Sequence, residues 1–140
     1  MFSKVRWTSG PRIEKDGTIR AETVIEAGDD WFDGHFPGEP LLPALAQLAL
    51  AWEAIRPLAD AGARLAGFRR VKFKEMIRPG EPLSIFAAGP SASGDVFSFK
   101  LYCAGRLACS GSLVLQGGKD AFAGSHGPDD HSGSLLYVNS

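Results

Sequence analysis

The chain has little cysteine, with Cys103 and Cys109 its two among 140 residues. They form no CxxC pair and lack the spacing of metal ligands, which argues against a redox or metal-binding role. We expect two buried thiols in a reducing compartment rather than a disulfide. His126 and His131 stand beside aspartates in the sequence HGPDDH. In a Gly/Ser-rich stretch that spacing is weak, and we expect no metal site.

Net charge and long apolar runs are also lacking. A formal net charge of −1 provides no broad field to attract nucleic acid or an anionic membrane. The longest apolar run, residues 41–52, contains Gln47 and is too short to span a bilayer. The opening residues, MFSKVRWTSGP, lack the apolar region of a signal peptide. We therefore expect a cytoplasmic protein that binds neither nucleic acid nor membrane.

The chain does contain enough apolar residues for one core. Its length and its 44% content of hydrophobic residues are typical of one soluble globular domain. The stretch RIEKDGTIRAETVIEAG predicts two short strands around a turn at Asp16-Gly17. Alternate positions of the second strand are less polar than their neighbours, which predicts a half-buried strand with these residues on the inner face: Ile19, Ala21, Thr23 and Ile25.

One buried helix is predicted next. Pro43 suits the first position of a helix, and residues 44–55 are apolar almost all round, so the helix must be covered on most sides. Pro57 is expected to end or kink it. Two strands separated at Pro79-Gly80 follow, and then a hairpin with its turn near residues 104–106. The pattern predicts an α+β protein whose antiparallel sheet curls around its helix.

A histidine lies in the turn before this helix. His35 stands between Gly34 and Phe36, and an imidazole is the natural general base near neutral pH. The helix points free backbone N–H groups and the positive end of its dipole toward the turn. The N–H of Ala44 or Leu45 is thereby able to polarise a carbonyl oxygen, which suits removal of a proton alpha to a thioester. Judged by the residues alone, a single histidine in a turn is more often structural.

The stretch GHFPGEPLLPALAQL resembles the signature of the hotdog-fold 3-hydroxyacyl-thioester dehydratases of fatty-acid synthesis. The later VKFKEMIRPGEPL resembles one of their strands, and LLPALAQL is closer to the dehydratase-like proteins of aryl-polyene pathways. The resemblance implies a hotdog fold, with a curved antiparallel sheet wrapped around one long central helix. The resemblance covers roughly Asp30 to Leu115. We assign residues 1–116 to this acyl-thioester domain, and the composition of residues 117–140 predicts a Gly/Ser-rich tail. The signature is matched at Gly34, His35, Phe36, Pro37, Gly38, Pro40 and Pro43.

The resemblance also implies a site. His35 corresponds to the catalytic base, and Ala44 to the glycine whose N–H binds the thioester carbonyl. The helix carboxylate that protonates the leaving hydroxyl is replaced by Ala49, which transfers no proton. Glu53, one turn further on, is the candidate substitute, although it is equally placed to pair with Arg56. The residues carried over for substrate binding are Gly34, Phe36, Ala44, Leu45 and Ala49.

The implied substrate is an acyl group carried on the phosphopantetheine of an acyl carrier protein or on CoA, with no further cofactor.

In a strand, Arg70, Lys72 and Lys74 would face one way, and Arg69, Val71 and Phe73 the other. The first set is either a solvated strand face or a surface that binds the acidic carrier protein. The resemblance implies a dimer with a continuous sheet, in which each site takes residues from both chains.

Three functions remain open from the sequence. In the first, the chain is a dehydratase or hydratase in which Glu53 or water donates the proton. Alternatively, it is one subunit of a heterodimer, giving His35 to a site whose acid comes from a paralogous hotdog subunit. The third possibility is a non-catalytic acyl-thioester binder, or a thioesterase that uses a water activated by Glu53. Gln47 lies about 160° around the helix from Ala49 and is a poor replacement for the acid.

Overall fold

The computed structural model describes residues 5–26, 42 and 44–117. The elements are β1 (Trp7–Ile13), β2 (Ile19–Val24), α1 (Ala44–Ile55), a 3₁₀ turn (Arg56–Leu58), β3 (Ala63–Phe73), β4 (Pro82–Ala88), β5 (Val96–Cys103) and β6 (Arg106–Gly117). The helix lies against a six-stranded antiparallel sheet of order β1-β2-β4-β5-β6-β3. The predicted α+β architecture is confirmed. The boundary predicted at residue 116 stays a prediction, because residues 118–140 lie outside the described part.

The first hairpin follows the sequence pattern closely. Asp16 accepts a hydrogen bond from the Thr18 N–H at 2.9 Å, and Gly17 adopts the positive φ of 90° that the turn requires. The alternating residues of β2 all point into the core, where Ala21 is fully buried. The half-buried strand predicted from this alternation is confirmed.

Helix α1 packs on the inner face of the sheet. Leu50, Ala51, Ala54 and Ile55 are fully buried, and they share one core with inward side chains of β2, β4 and β5. The prediction that the helix is covered on most sides is confirmed, since Ala44 and Leu45 are its two exposed residues. Leu45 is 67% exposed, because no element within the described part of the chain packs over that side.

Two irregularities in β3 change which residues face the core. Its register with β6 shifts between Leu65 and Gly67, and again between Arg69 and Lys72. The second shift inserts one extra residue around Arg70, which has a φ of 54°. Phe68 is buried before this bulge and Val71 after it. The core-facing residues therefore have even numbers before the bulge and odd numbers after it.

The bulge corrects one sequence expectation. Arg69 was expected on the same side as Val71 and Phe73, but it is exposed while Val71 is fully buried. Two consecutive arginines, Arg69 and Arg70, are therefore both exposed. A strictly alternating strand cannot place both outside, and the extra residue makes this arrangement possible.

A glycine in β6 makes room for the bulge. A Cβ atom on Gly111 would lie 3.0 Å from Val71 Cγ2 and 3.2 Å from Phe99 Cζ. Gly111→Ala is therefore expected to lower the free energy of unfolding by about 1–3 kcal/mol through overpacking. Urea denaturation measures this change, with Ser112→Ala on the same strand as a control expected within about 0.5 kcal/mol of wild type. Equal stability of Gly111→Ala and Ser112→Ala would contradict this account of the packing.

Candidate active site

The helix residues singled out by the sequence lie together on one side of α1. Leu45, Ala49 and Glu53 are spaced four residues apart, and we call them the helix stripe. Leu45 is exposed, whereas Ala49 and Glu53 are half-buried. The stripe therefore lies at the boundary between the core and the uncovered side of the helix, open to a substrate or to a second chain. Gly34, His35 and Phe36 lie outside the described residues.

The start of the helix is anchored by backbone groups. The Leu42 N–H donates to the Ile77 carbonyl at 2.8 Å, and the Gln47 side-chain amide donates to the Leu42 carbonyl at 3.2 Å. The helix begins at Ala44 and has no acidic residue in its first turn. Its first N–H groups have no acceptor within the helix, and no acidic side chain of the first turn neutralises the positive end of its dipole.

Glu53 has a close partner. Its carboxylate accepts a hydrogen bond from Arg56 at 2.8 Å, and the two side chains are 31% and 50% exposed. The alternative that Glu53 pairs with Arg56 is confirmed. Because this pair is partly solvated, its attraction is small, on the order of 0.2–1 kcal/mol. The Cα atom of Glu53 lies about 6 Å along the helix axis from that of Ala49.

Gln47 is on the other side of the helix. It is 4% exposed, and its Oε1 atom has no hydrogen-bond partner within the described residues. Its amide group faces the chain entering the helix rather than the helix stripe. This placement agrees with the expectation that Gln47 does not replace the missing acid.

The two cysteines are free and buried, as expected. Burial raises the pKa of Cys109 to about 12. Burial, together with a hydrogen bond to the Glu81 carboxylate at 3.2 Å, raises the pKa of Cys103 to about 12 as well. Neither thiol is therefore ionised near neutral pH, which argues against a nucleophilic role.

Two of the three predicted carrier-binding residues, Arg70 and Lys72, lie on the other face of the sheet from α1. Arg70 and Lys72 line a groove of about 680 Å³ on that outer face. Lys74 follows the end of β3 and is not among the residues that line the groove. Sequence reasoning missed Lys100, which also lines it. The alternating pattern of β5 could have predicted that Lys100 faces outward, since it stands between the buried Phe99 and Leu101.

The described residues contain neither a candidate membrane span nor a candidate metal site. No helix there is long and apolar enough to cross a membrane. No group of three or more histidine, cysteine, aspartate or glutamate side chains there is arranged to hold a metal ion.

Comparison with known families identifies the chain. The model of the ApeI-like family, described as ApeI dehydratase, matches residues 12–112. The chain belongs to the ApeI-like dehydratase family. The match includes the helix stripe and the segment that contains His35. The family prediction made from the GHFPGEPLLPALAQL stretch is thereby confirmed.

Relatives of this ApeI-like protein include 3-hydroxyacyl-(acyl-carrier-protein) dehydratases named FabZ. One, from Albidiferax ferrireducens, is 35% identical over 98 residues, which cover 63% of this chain and 65% of the relative. Another, from Caldicellulosiruptor saccharolyticus, is 31% identical over 112 residues, which cover 74% of this chain and 80% of the relative. The chain thus spans just under two thirds of the first relative and four fifths of the second.

Solved structures confirm the hotdog fold. The dehydratase heterocomplex ApeI:P from Xenorhabdus doucetiae matches with a TM-score of 0.68 and 23% identity, covering 81% of this chain and 98% of the other. An uncharacterized protein from Erwinia carotovora subsp. atroseptica matches with a TM-score of 0.63 and 26% identity, covering 71% and 82%. The ApeI-like chain is therefore a dehydratase-like protein with a hotdog fold.

Proposed function

We propose that this chain removes water from a 3-hydroxyacyl thioester carried on an acyl carrier protein or on CoA, with His35 as the base. The main support is the family match over residues 12–112. The FabZ relatives are named as dehydratases of thioesters held on an acyl carrier protein. The predicted cytoplasmic location and the role in fatty-acid, polyketide or polyene synthesis stay predictions.

The proposed reaction needs only proton transfer. His35 takes a proton from C2 of the substrate, while the Ala44 N–H and the positive end of α1 stabilise the negative charge on the thioester oxygen. The C3–O bond then breaks, and the hydroxyl leaves as water after receiving a proton from an acid. The product is a trans-2-enoyl thioester, and no cofactor takes part.

Glu53 is the proposed donor of that proton. It lies on the same helix stripe as Ala49, and its partner Arg56 is half-exposed, so the ion pair is weak enough to open. Once Arg56 is released and the carboxyl group has taken up a proton from solvent, Glu53 is free to turn toward the Ala49 position. It then gives this proton to the leaving hydroxyl, directly or through one water, and becomes a carboxylate. This arrangement predicts that the proton donor lies one helical turn from its position in the family.

Glu53→Gln tests this role. The exchange keeps the side-chain shape but removes the ionisable group, so kcat is expected to fall by about 10²–10⁴-fold with KM little changed. Steady-state dehydration of a 3-hydroxyacyl thioester measures both constants. Arg56→Gln is the matched control, because it breaks the same ion pair while leaving the acid, and its kcat is expected within a few-fold of wild type. A kcat for Glu53→Gln close to that of wild type would exclude Glu53 as the donor.

A partner-dependent subunit is the second candidate. The observation that favours it is the uncovered helix stripe, with Leu45 67% exposed beside Ala49. In the dimer implied by the resemblance, His35 of one chain faces the Ala49 position of the other, so a homodimer would lack the family acid. A paralogous hotdog subunit would supply it, and the X. doucetiae structure is a dehydratase heterocomplex. Activity that appears only after mixing with such a subunit would support this candidate.

A further inference from the structure

The largest side chain on the uncovered side of α1 is that of Trp52, to which the proposed reaction gives no role. Besides the helix stripe, Trp52 and Ala44 are the residues of this fully described helix that are not buried. Trp52 is half-buried and packs against the edge of the core. Part of the indole is therefore held in place by the core, and part of it remains accessible on the open side of the helix.

Trp52 and Glu53 lie on opposite sides of Ala49, one turn further along the helix. Trp52 is about 60° around the axis from Ala49 in one direction and about 4.5 Å further along. Glu53 is about 40° from Ala49 in the other direction and about 6 Å along. A helical side chain covers the turn that precedes its own Cα atom, so the indole is directed back toward Ala49. The small alanine thus lies between an ionisable group and a large aromatic one.

The proposed reaction gives the substrate a direction along the helix. The thioester carbonyl accepts the Ala44 N–H at the start of α1, and the hydroxyl on C3 receives its proton from Glu53 near the Ala49 position. The carbon chain therefore runs from the start of the helix toward its second half. C3 is tetrahedral and carries both the hydroxyl and C4. When the hydroxyl is turned to the Glu53 side of Ala49, the Trp52 side is left for C4 and the carbons beyond it.

The indole limits the space available to those carbons. The Cα atom of Trp52 lies about 12 Å beyond that of Ala44 along the axis, which leaves room for an extended chain of roughly six to eight carbons. Ala49 contributes a single methyl group, so the helix surface beside C3 is open up to the indole. A longer chain can continue along this side only by displacing the indole, which its packing against the core opposes.

We propose that Trp52 sets an upper limit on the length of the acyl chain, so that the substrates are short-chain 3-hydroxyacyl thioesters. The proposal rests on the function proposed above and names the substrate class of the same site. Trp52 acts on specificity, because its indole contacts the chain beyond C3 and transfers no proton. The flat apolar ring stabilises a short chain by contact, and its bulk excludes a longer one.

Trp52→Ala tests this role with two chain lengths. The ratio of kcat/KM is measured for 3-hydroxyhexanoyl and 3-hydroxydecanoyl thioesters of N-acetylcysteamine. Wild type is expected to prefer the hexanoyl group by at least about ten-fold, and Trp52→Ala to lose this preference because space opens for the longer chain. Trp52→Phe, which removes less of the ring system, is expected to give an intermediate ratio and provides the test if Trp52→Ala fails to fold.

Trp7→Ala is the matched control for the loss of an indole. Trp7 also packs against the edge of the core and is half-buried, but it belongs to β1. Its preference for the hexanoyl group is expected to equal that of wild type. A ratio for Trp52→Ala and Trp52→Phe that equals the wild-type ratio would overturn the proposal. Weaker self-association of these variants in sedimentation, with that ratio unchanged, would assign the indole to a contact between chains instead.

A binding measurement separates this proposal from the proposed dehydration. Hexanoyl and decanoyl amides of the pantetheine arm have no hydroxyl to lose and no thioester to hydrolyse, and they are titrated by calorimetry. Wild type is expected to bind the hexanoyl amide at least about ten-fold more tightly than the decanoyl amide, and Trp52→Ala to bind both alike. That result with a wild type inactive on both thioesters would contradict only the dehydration. Equal Kd values of the two amides for wild type would overturn the role of Trp52, even if the protein is an active dehydratase.

Discussion

His35→Ala is expected to lower kcat for dehydration of a 3-hydroxyacyl thioester by about 10²–10⁴-fold. The reason is chemical, because no other residue assigned to the site is suited to take the C2 proton near neutral pH. An N-acetylcysteamine thioester is the best substrate for this measurement, since it removes any effect of the variant on carrier binding.

A matched exchange controls for the loss of a histidine. His126→Ala removes an imidazole from the stretch predicted to be a tail, and its kcat is expected to equal that of wild type. Circular dichroism spectra of both variants should match the wild-type spectrum. If His35→Ala retained wild-type turnover, the histidine of the signature would have a structural role in this chain, as a single histidine in a turn often has.

Ala49→Glu is expected to raise kcat by about 10²-fold, within the range that a positioned acid contributes. The position lies on the helix stripe and is half-buried, so the longer side chain reaches the open side of the helix without displacing the core. A glutamate there would stand one turn closer to the start of α1 than Glu53 does. Comparison of kcat for the two proteins on the same thioester measures the gain.

A second variant shows whether the new acid takes over the role of Glu53. In Ala49→Glu/Glu53→Gln, activity is expected to remain close to that of Ala49→Glu, because the donor has returned to the family position. Ala49→Gln has nearly the same shape without the ionisable group and is expected to give no gain. A rise in Ala49→Gln equal to that in Ala49→Glu would show that packing, rather than proton donation, limits the wild-type rate.

The fold was predictable where binary patterning was regular. The bounds of α1 agree with the predicted segment after Pro43, and the alternation from Ile19 to Ile25 predicted the inner face of β2. In β3 the same reasoning failed for Arg69. Nothing in the residues RLAGFRRVKF shows that one residue is extra, because a bulge depends on how β6 pairs with the strand and on the space left by Gly111.

The candidate site was predictable only in part. The sequence indicated that Glu53 lies one helical turn beyond Ala49 and that it can pair with Arg56. It did not indicate that Leu45 is exposed, since an apolar helix suggests burial on most sides. The groove on the outer face of the sheet joins residues from four strands, β3 to β6. Some of these residues, such as Lys72 and Lys100, are distant in sequence, so no single motif reveals the groove.

The most direct test of the central claim is incubation of purified wild-type protein with a trans-2-enoyl thioester, the reverse of the proposed reaction. The protein is used alone and mixed with a hotdog paralogue that carries the helix acid, and both the hydrated product and free thiol are quantified. The account predicts a 3-hydroxyacyl thioester with no release of thiol, formed by the protein alone or, for the partner-dependent subunit, only in the mixture. Release of free thiol without hydration would contradict it and would identify the chain as a thioesterase.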